Sequence, residues 1–236
     1  SVSTLIDKEQ RIAMTQTVYH FGGNADHSDP RQKDKTITGG KGANLAEMAS
    51  IGLPVPPGFT ITTEECLRYL DLGGDFSDGL QDAVAKGVAH VEQTVGKKLG
   101  DAADPLLVSV RSGAAVSMPG MMDTVLNLGL NDSTAKGLAK STKNEWFALD
   151  TYRRFISMFG DVVLGIPGER FEAILAKKKL KRKIEFDTEF TLHELKALIK
   201  QFKALVMRST QKEFPEDSIQ QLRMTVEAVF NSWNTE

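Results

Sequence analysis

Residues 38–62 read TGGKGANLAEMASIGLPVPPGFTIT, and this stretch decides the fold. Gly39-Gly40-Lys41-Gly42 forms a glycine-rich turn in which the backbone can approach a ligand closely, because no Cβ intervenes. The following residues, Ala43 to Ala49, read as a helix with Leu45, Met48 and Ala49 on one face. Gly52 is placed to stop it in the left-handed region. Leu53 to Gly58 cannot continue a helix, since Pro54, Pro56 and Pro57 remove donors and hold the backbone extended. A strand, Phe59-Thr60-Ile61-Thr62, comes next, and Thr62 with Glu65 makes a capping box for another helix. A turn, a helix, a proline-stiffened link and a strand in such quick succession define an α/β segment.

Upstream, Thr15 to Phe21 is rich in β-branched and aromatic residues and predicts a first strand, ended by Gly22-Gly23-Asn24. Residues 1–14 carry Asp7 and Glu9 and lack the apolar core of a secretory signal, so they read as a flexible leader. Downstream, Leu80, Val84, Val88, Val91 and Val95 recur at helical spacing and predict a helix over 78–95. Leu106 to Arg111 reads as a short buried strand whose end presents Arg111.

Beyond Leu130 the texture becomes helical. Helices are expected over 147–163, over 191–206 with a capping box from Thr191 to Glu194, and over 218–233 on an apolar stripe from Ile219 to Trp233. The predicted organisation is a leader at 1–14, an α/β subdomain at 15–130, a helical inserted subdomain at 131–216, and a helix at 217–236 returning to the α/β part.

Bulk properties narrow the function classes. The 236 residues are 41% hydrophobic and 25% charged, an ordinary globular composition. A formal net charge of -2 builds in no general attraction to nucleic acid or to a membrane surface. No apolar run approaches the roughly 20 residues that span a bilayer. The single cysteine, Cys66, excludes an intramolecular disulfide, fits a reducing compartment and is expected to be buried and inert. His20, His27, His90 and His193 show no metal-ligand spacing with one another or with Cys66. The basic run from Lys177 to Lys183 lacks interleaved aromatics and is followed at once by Glu185, Asp187 and Glu189. It reads as a solvated segment rather than a nucleic-acid site.

Three segments can carry chemistry. In the glycine-rich turn, Gly40 and Gly42 allow close approach and Lys41 adds a mobile positive charge, while the following helix offers free N–H groups. The pattern is not a Walker motif, because Gly42 stands where a magnesium-holding Ser or Thr would be. In Ser109-Val110-Arg111-Ser112-Gly113-Ala114, the planar Arg111 guanidinium suits either a bidentate phosphate or a carboxylate partner. At an effective dielectric near 20, one such charge pair is worth on the order of 4 kcal/mol before desolvation. In Ser117-Met118-Pro119-Gly120-Met121-Met122-Asp123-Thr124, the methionines suit either a packed loop or a flap hinged at Gly120 that closes over a ligand.

Read together, GGKGANLAEMASIGLPVPPGFTITTEEC, LLVSVRSGAAVSMPGMMDTVLNLGLND, YRRFISMFGDVV and EAVFNSWN closely resemble the pyruvate phosphate dikinase family, in family order and from Val18 onward. The resemblance implies a partial ATP-grasp-like nucleotide lobe, an α/β (α+β) fold with an inserted all-helical subdomain. It implies an overall reaction in which ATP, phosphate and pyruvate give AMP, pyrophosphate and phosphoenolpyruvate through a carrier histidine on a separate domain. By motif, Lys41 and Gly120 match the family's ATP phosphate contacts and Arg111 matches the arginine that stabilises the transferring phosphates. Gly40, Gly42, Met121 and Met122 match loop positions. The magnesium ligands, the phosphohistidine domain and the pyruvate-binding barrel are expected outside this chain, which alone is expected to be inactive and monomeric, the full-length enzyme being a homodimer. The compartment is expected to be cytoplasmic, or glycosomal (peroxisome-like) if a carboxy-terminal address exists. Related dikinases such as phosphoenolpyruvate synthase, which use another acceptor, and a non-catalytic nucleotide-binding module are the alternatives.

Overall fold

The computed structural model describes residues 16–113, 122 and 124–233. Described residues fall into two compact units, one holding the chain up to Val95 together with Gly113, the other holding Gly96–Ser112 and the residues from 122 onward.

In the first unit, β1 (Val18–Phe21) pairs antiparallel with β2 (Gly58–Ile61), Val18 opposite Ile61 and Phe21 opposite Gly58. Between them runs α1 (Lys35–Ser50), entered through a 3-10 turn at Pro30–Lys33. Asp34 caps α1 by accepting from the Thr36 N–H at 2.8 Å, which satisfies one orphan donor of its first turn. That helix begins well before the predicted Ala43. It also buries Gly42, Ala43 and Ala46, while Met48 remains 37% exposed. The small residues win because they let the helix approach the sheet, which long side chains on the same face would forbid. Gly52 takes φ 82 just past the helix end, as expected.

Next come α2 (Thr63–Asp71) and α3 (Asp78–Val95), the latter with its predicted bounds. The predicted Thr62–Glu65 capping box does not form. The Glu65 carboxylate is buried and instead accepts from Arg68 at 2.7 Å and from the Ser77 hydroxyl at 3.1 Å. Cys66 is buried, and desolvation pushes its thiol up to about 11. It is therefore protonated and unreactive at neutral pH.

The second unit opens with two strand pairs: β3 (Lys98–Leu99) parallel with β4 (Pro105–Leu106), and β5 (Val108–Val110) antiparallel with β6 (Val125–Leu128). The single buried strand expected over 106–111 is thus divided between two pairings, and β5 is only half-buried. Five helices follow: α4 (Asp132–Thr142), α5 (Glu145–Val162), α6 (Gly168–Arg182), α7 (Leu192–Thr210) and α8 (Ser218–Ser232). The Thr191–Glu194 capping box of α7 forms as read.

Tyr152, Phe155, Ile156 and Phe159 of α5 are buried and meet Leu195, Leu198 and Phe202 of α7 and Phe171 of α6 in one core. Each such side chain contributes roughly 1.5–3 kcal/mol on burial. Arg153 is also buried here, bonded to Asp150 at 2.5 Å and to Asp187 at 2.9 Å, so its charge is compensated. On α8, Leu222, Val226, Val229 and Phe230 are buried, but Ile219, counted in the predicted stripe, is 56% exposed.

Candidate functional site

Gly39 is the residue that shapes the first candidate segment. Its φ of 71° and ψ of 170° break α1 into two helical pieces. That backbone region is essentially restricted to glycine. A Cβ there would lie 1.5 Å from the Gly113 carbonyl oxygen, so the break is locked by a backbone-to-backbone approach that no other residue permits.

The helix restarts with Gly40, Lys41 and Gly42, and a restarted helix presents a new set of N–H groups and a positive dipole end. Gly42 faces β2, where a Cβ would meet Thr60 Cγ2 at 2.7 Å. Lys41 is exposed, and its Cβ lies 3.7 Å from the position a Gly113 Cβ would take. Within the first unit, then, the structure brings the glycine-rich turn and Gly113 together.

Arg111 belongs to the second unit, one residue beyond β5. It is exposed, and among the described residues no carboxylate pairs with it. The carboxylate alternative weighed for Arg111 is therefore not realised among them. The next residue is fixed firmly: Ser112 is fully buried, and its hydroxyl oxygen accepts from the Trp233 indole N–H at 3.1 Å. Below it, α8 is tied to the end of β6. Gln221 accepts from the Gly129 N–H at 3.0 Å and donates to the Leu130 and Pro215 carbonyls, both at 2.8 Å. Ser218 donates to the Gly129 carbonyl at 3.0 Å.

Met122 is half-buried. Gly120 and Met121 lie outside the described residues, as does the proposed leader. Among the described residues no group of His, Cys, Asp or Glu could hold a metal ion, and no helix is long and apolar enough to cross a membrane.

Sequence reasoning placed Gly39 in a glycine-rich turn open to a ligand, but it did not find the helix break there or the roles of Gly113, Ser112 and Gln221. One signal was available for Trp233. A buried indole needs an acceptor for its N–H, so a tryptophan on an apolar stripe asks for a polar partner.

The candidate site is thus a glycine-locked helix break ahead of an exposed lysine. A family model described as the AMP/ATP-binding domain of pyruvate phosphate dikinase matches residues 35–75, the span from the start of α1 to just past α2. The chain is 47% identical over 234 residues to pyruvate, phosphate dikinase 1 of Arabidopsis thaliana, covering 99% of this chain and 24% of that protein. It is 47% identical to the Clostridium symbiosum pyruvate, phosphate dikinase over 223 residues, and 49% identical to Zea mays pyruvate, phosphate dikinase 2 over 221 residues. Those alignments each cover 94% of this chain and 25% of the relative. The chain belongs to the pyruvate phosphate dikinase family and spans about a quarter of the length of the relatives it matches.

Proposed function

We propose that this chain is the amino-terminal, phosphate-recognising part of a pyruvate phosphate dikinase, in which Lys41, Arg111 and Gly120 contact the phosphates of ATP. In the whole enzyme, ATP and phosphate would phosphorylate a carrier histidine, and the phosphoryl group would pass to pyruvate to give phosphoenolpyruvate. AMP and pyrophosphate would be the other products. The observation that carries the reading is the Gly39 break, which restarts a helix at the turn bearing Lys41. Phosphoryl transfer is catalysed mainly by positioning and by neutralising charge. Lys41 supplies a point charge at the restarted helix and Arg111 a planar fork that reaches solvent. Gly40 and Gly42 permit backbone approach, while Gly120, Met121 and Met122 belong to a loop that closes over the polyphosphate.

In this reading the magnesium ligands, the phosphohistidine domain and the pyruvate-binding barrel would come from parts of the protein outside this chain, which by itself would be an inactive monomer. The full-length enzyme is a homodimer. The relatives include chloroplastic plant proteins and a bacterial one, which lends the glycosomal alternative no support.

Phosphorus NMR of Mg-ATP tests the reading. Adding the chain is expected to shift or broaden the β and γ resonances more than the α, and Lys41→Ala is expected to remove the effect. Perturbation of the adenine protons alone would contradict it.

A further inference from the structure

A second cluster of cations lies on the helical part and shares no residue with the proposed nucleotide contacts. Lys177, Lys178 and Lys181 of α6 face Arg208 and Gln201 of α7 across an open cleft of about 390 Å³. Ile174 and Ala204 complete its lining, so it contains neither a carboxylate nor an aromatic ring. Of the other cations in the same basic run, Lys179 pairs with Asp187 and Arg182 with Glu194, each at 2.5 Å. Lys177, Lys178, Lys181 and Arg208 have no ion-pair partner among the described residues. Four cations without an ion pair among the described residues therefore line one cleft.

The helices set the spacing. Arg170 donates to Ser209 at 2.9 Å, and Arg182 pairs with Glu194, so α6 and α7 run antiparallel with Arg208 near one end of the cleft and Lys181 near the other. Lys177 and Lys181 are one helical turn apart, about 6 Å along the axis. Cations at such intervals match a ligand with successive anionic groups. The absence of an aromatic platform removes base stacking, and the small apolar floor offers no pocket for peptide anchors. Lysine is a point-charge binder of phosphate and needs no planar partner.

We infer that the α6–α7 cleft binds an inorganic polyphosphate chain, at a site distinct from the proposed nucleotide contacts. Four uncompensated positive charges with no lining carboxylate favour an anion of several charges over a single phosphate.

Calorimetric titration with tripolyphosphate, at low salt, tests this in the Lys41→Ala/Arg111→Ala background, so that the proposed nucleotide contacts take no part. Saturable binding, at least about tenfold tighter than orthophosphate and weakened as salt rises, is the expected result. Amide resonances of α6 and α7 should shift together. Lys177→Ala/Lys178→Ala/Lys181→Ala should abolish the binding. Lys140→Ala/Lys143→Ala/Lys212→Ala, which removes the same charge from exposed positions elsewhere, should leave it. Absence of binding, equal loss in both triple variants, or tighter binding of an oligoglutamate peptide would each overturn the inference.

Discussion

The indole N–H of Trp233 donates to the Ser112 hydroxyl at 3.1 Å, joining the residue that follows α8 to the one that follows Arg111. Residues 112 and 233 are far apart in the chain, so the bond forms only when β5 and α8 are both in place. Trp233→Phe keeps most of the bulk and removes the donor. It should cost about 1 kcal/mol, with the same coupling energy recovered in a cycle with Ser112→Ala. Urea denaturation of the four proteins measures this, and a coupling near zero would show that the bond carries no stability.

Gly39 should be the least replaceable glycine in the first unit. Gly39→Ala must leave the φ 71, ψ 170 region and move the Gly113 carbonyl out of a 1.5 Å clash. Gly73 has a similar φ of 74 but nothing within 4 Å of an added Cβ, so Gly73→Ala isolates the backbone cost. Gly73→Ala should lose about 1 kcal/mol. Gly39→Ala should lose at least about 3 kcal/mol, since strain and clash add. Chemical denaturation distinguishes them.

Arg153 should be a stability residue rather than a binding one. It is 2% exposed and bonded to Asp150 and Asp187. Arg153→Ala leaves the buried Asp150 with only the exposed Arg154, which bonds its other oxygen at 2.8 Å. A loss of about 3–5 kcal/mol is expected, and Arg153→Met, which keeps the stem packing, should lose less. Thermal melts of both variants check the order.

His20 should make the first unit acid-sensitive. Its ring stacks on His90 with centroids 4.8 Å apart, and burial first, then the neighbouring imidazole, holds its pKa below the ordinary 6.5. The folded state therefore binds a proton less readily than the unfolded chain. Stability is complete above the unfolded value near 6.5 and falls as pH drops through the lower folded value. Urea midpoints at pH 7.5 and 5.0 should differ less in His20→Gln than in the wild type. An unchanged difference would place the acid sensitivity elsewhere.

The helices were legible because periodicity survives any tertiary context. The valines and Leu80 marked α3 with its observed bounds, and the aromatic face of α5 was visible as Tyr152, Phe155, Ile156 and Phe159. The exposed side of α1 was misread because length and apolarity were weighed, whereas Gly42, Ala43 and Ala46 are buried for their smallness. Thr62 and Glu65 had capping-box spacing, but Arg68 and Ser77 claimed the carboxylate, a competition invisible without the fold. At the candidate site, the chemistry-bearing Lys41 and Arg111 could be named from residue type and position. Their supports, Gly113 and Ser112, could not, because each acts through a contact distant in sequence.

Whether this chain recognises phosphate through Lys41 and Arg111 is measured most directly by calorimetric titration with Mg-ATP, beside Lys41→Ala and Arg111→Ala. The account predicts binding by the wild type that each substitution weakens by about 1.5–3 kcal/mol, roughly ten- to a hundredfold. Equally tight binding by all three proteins would contradict it and place the nucleotide elsewhere on the chain.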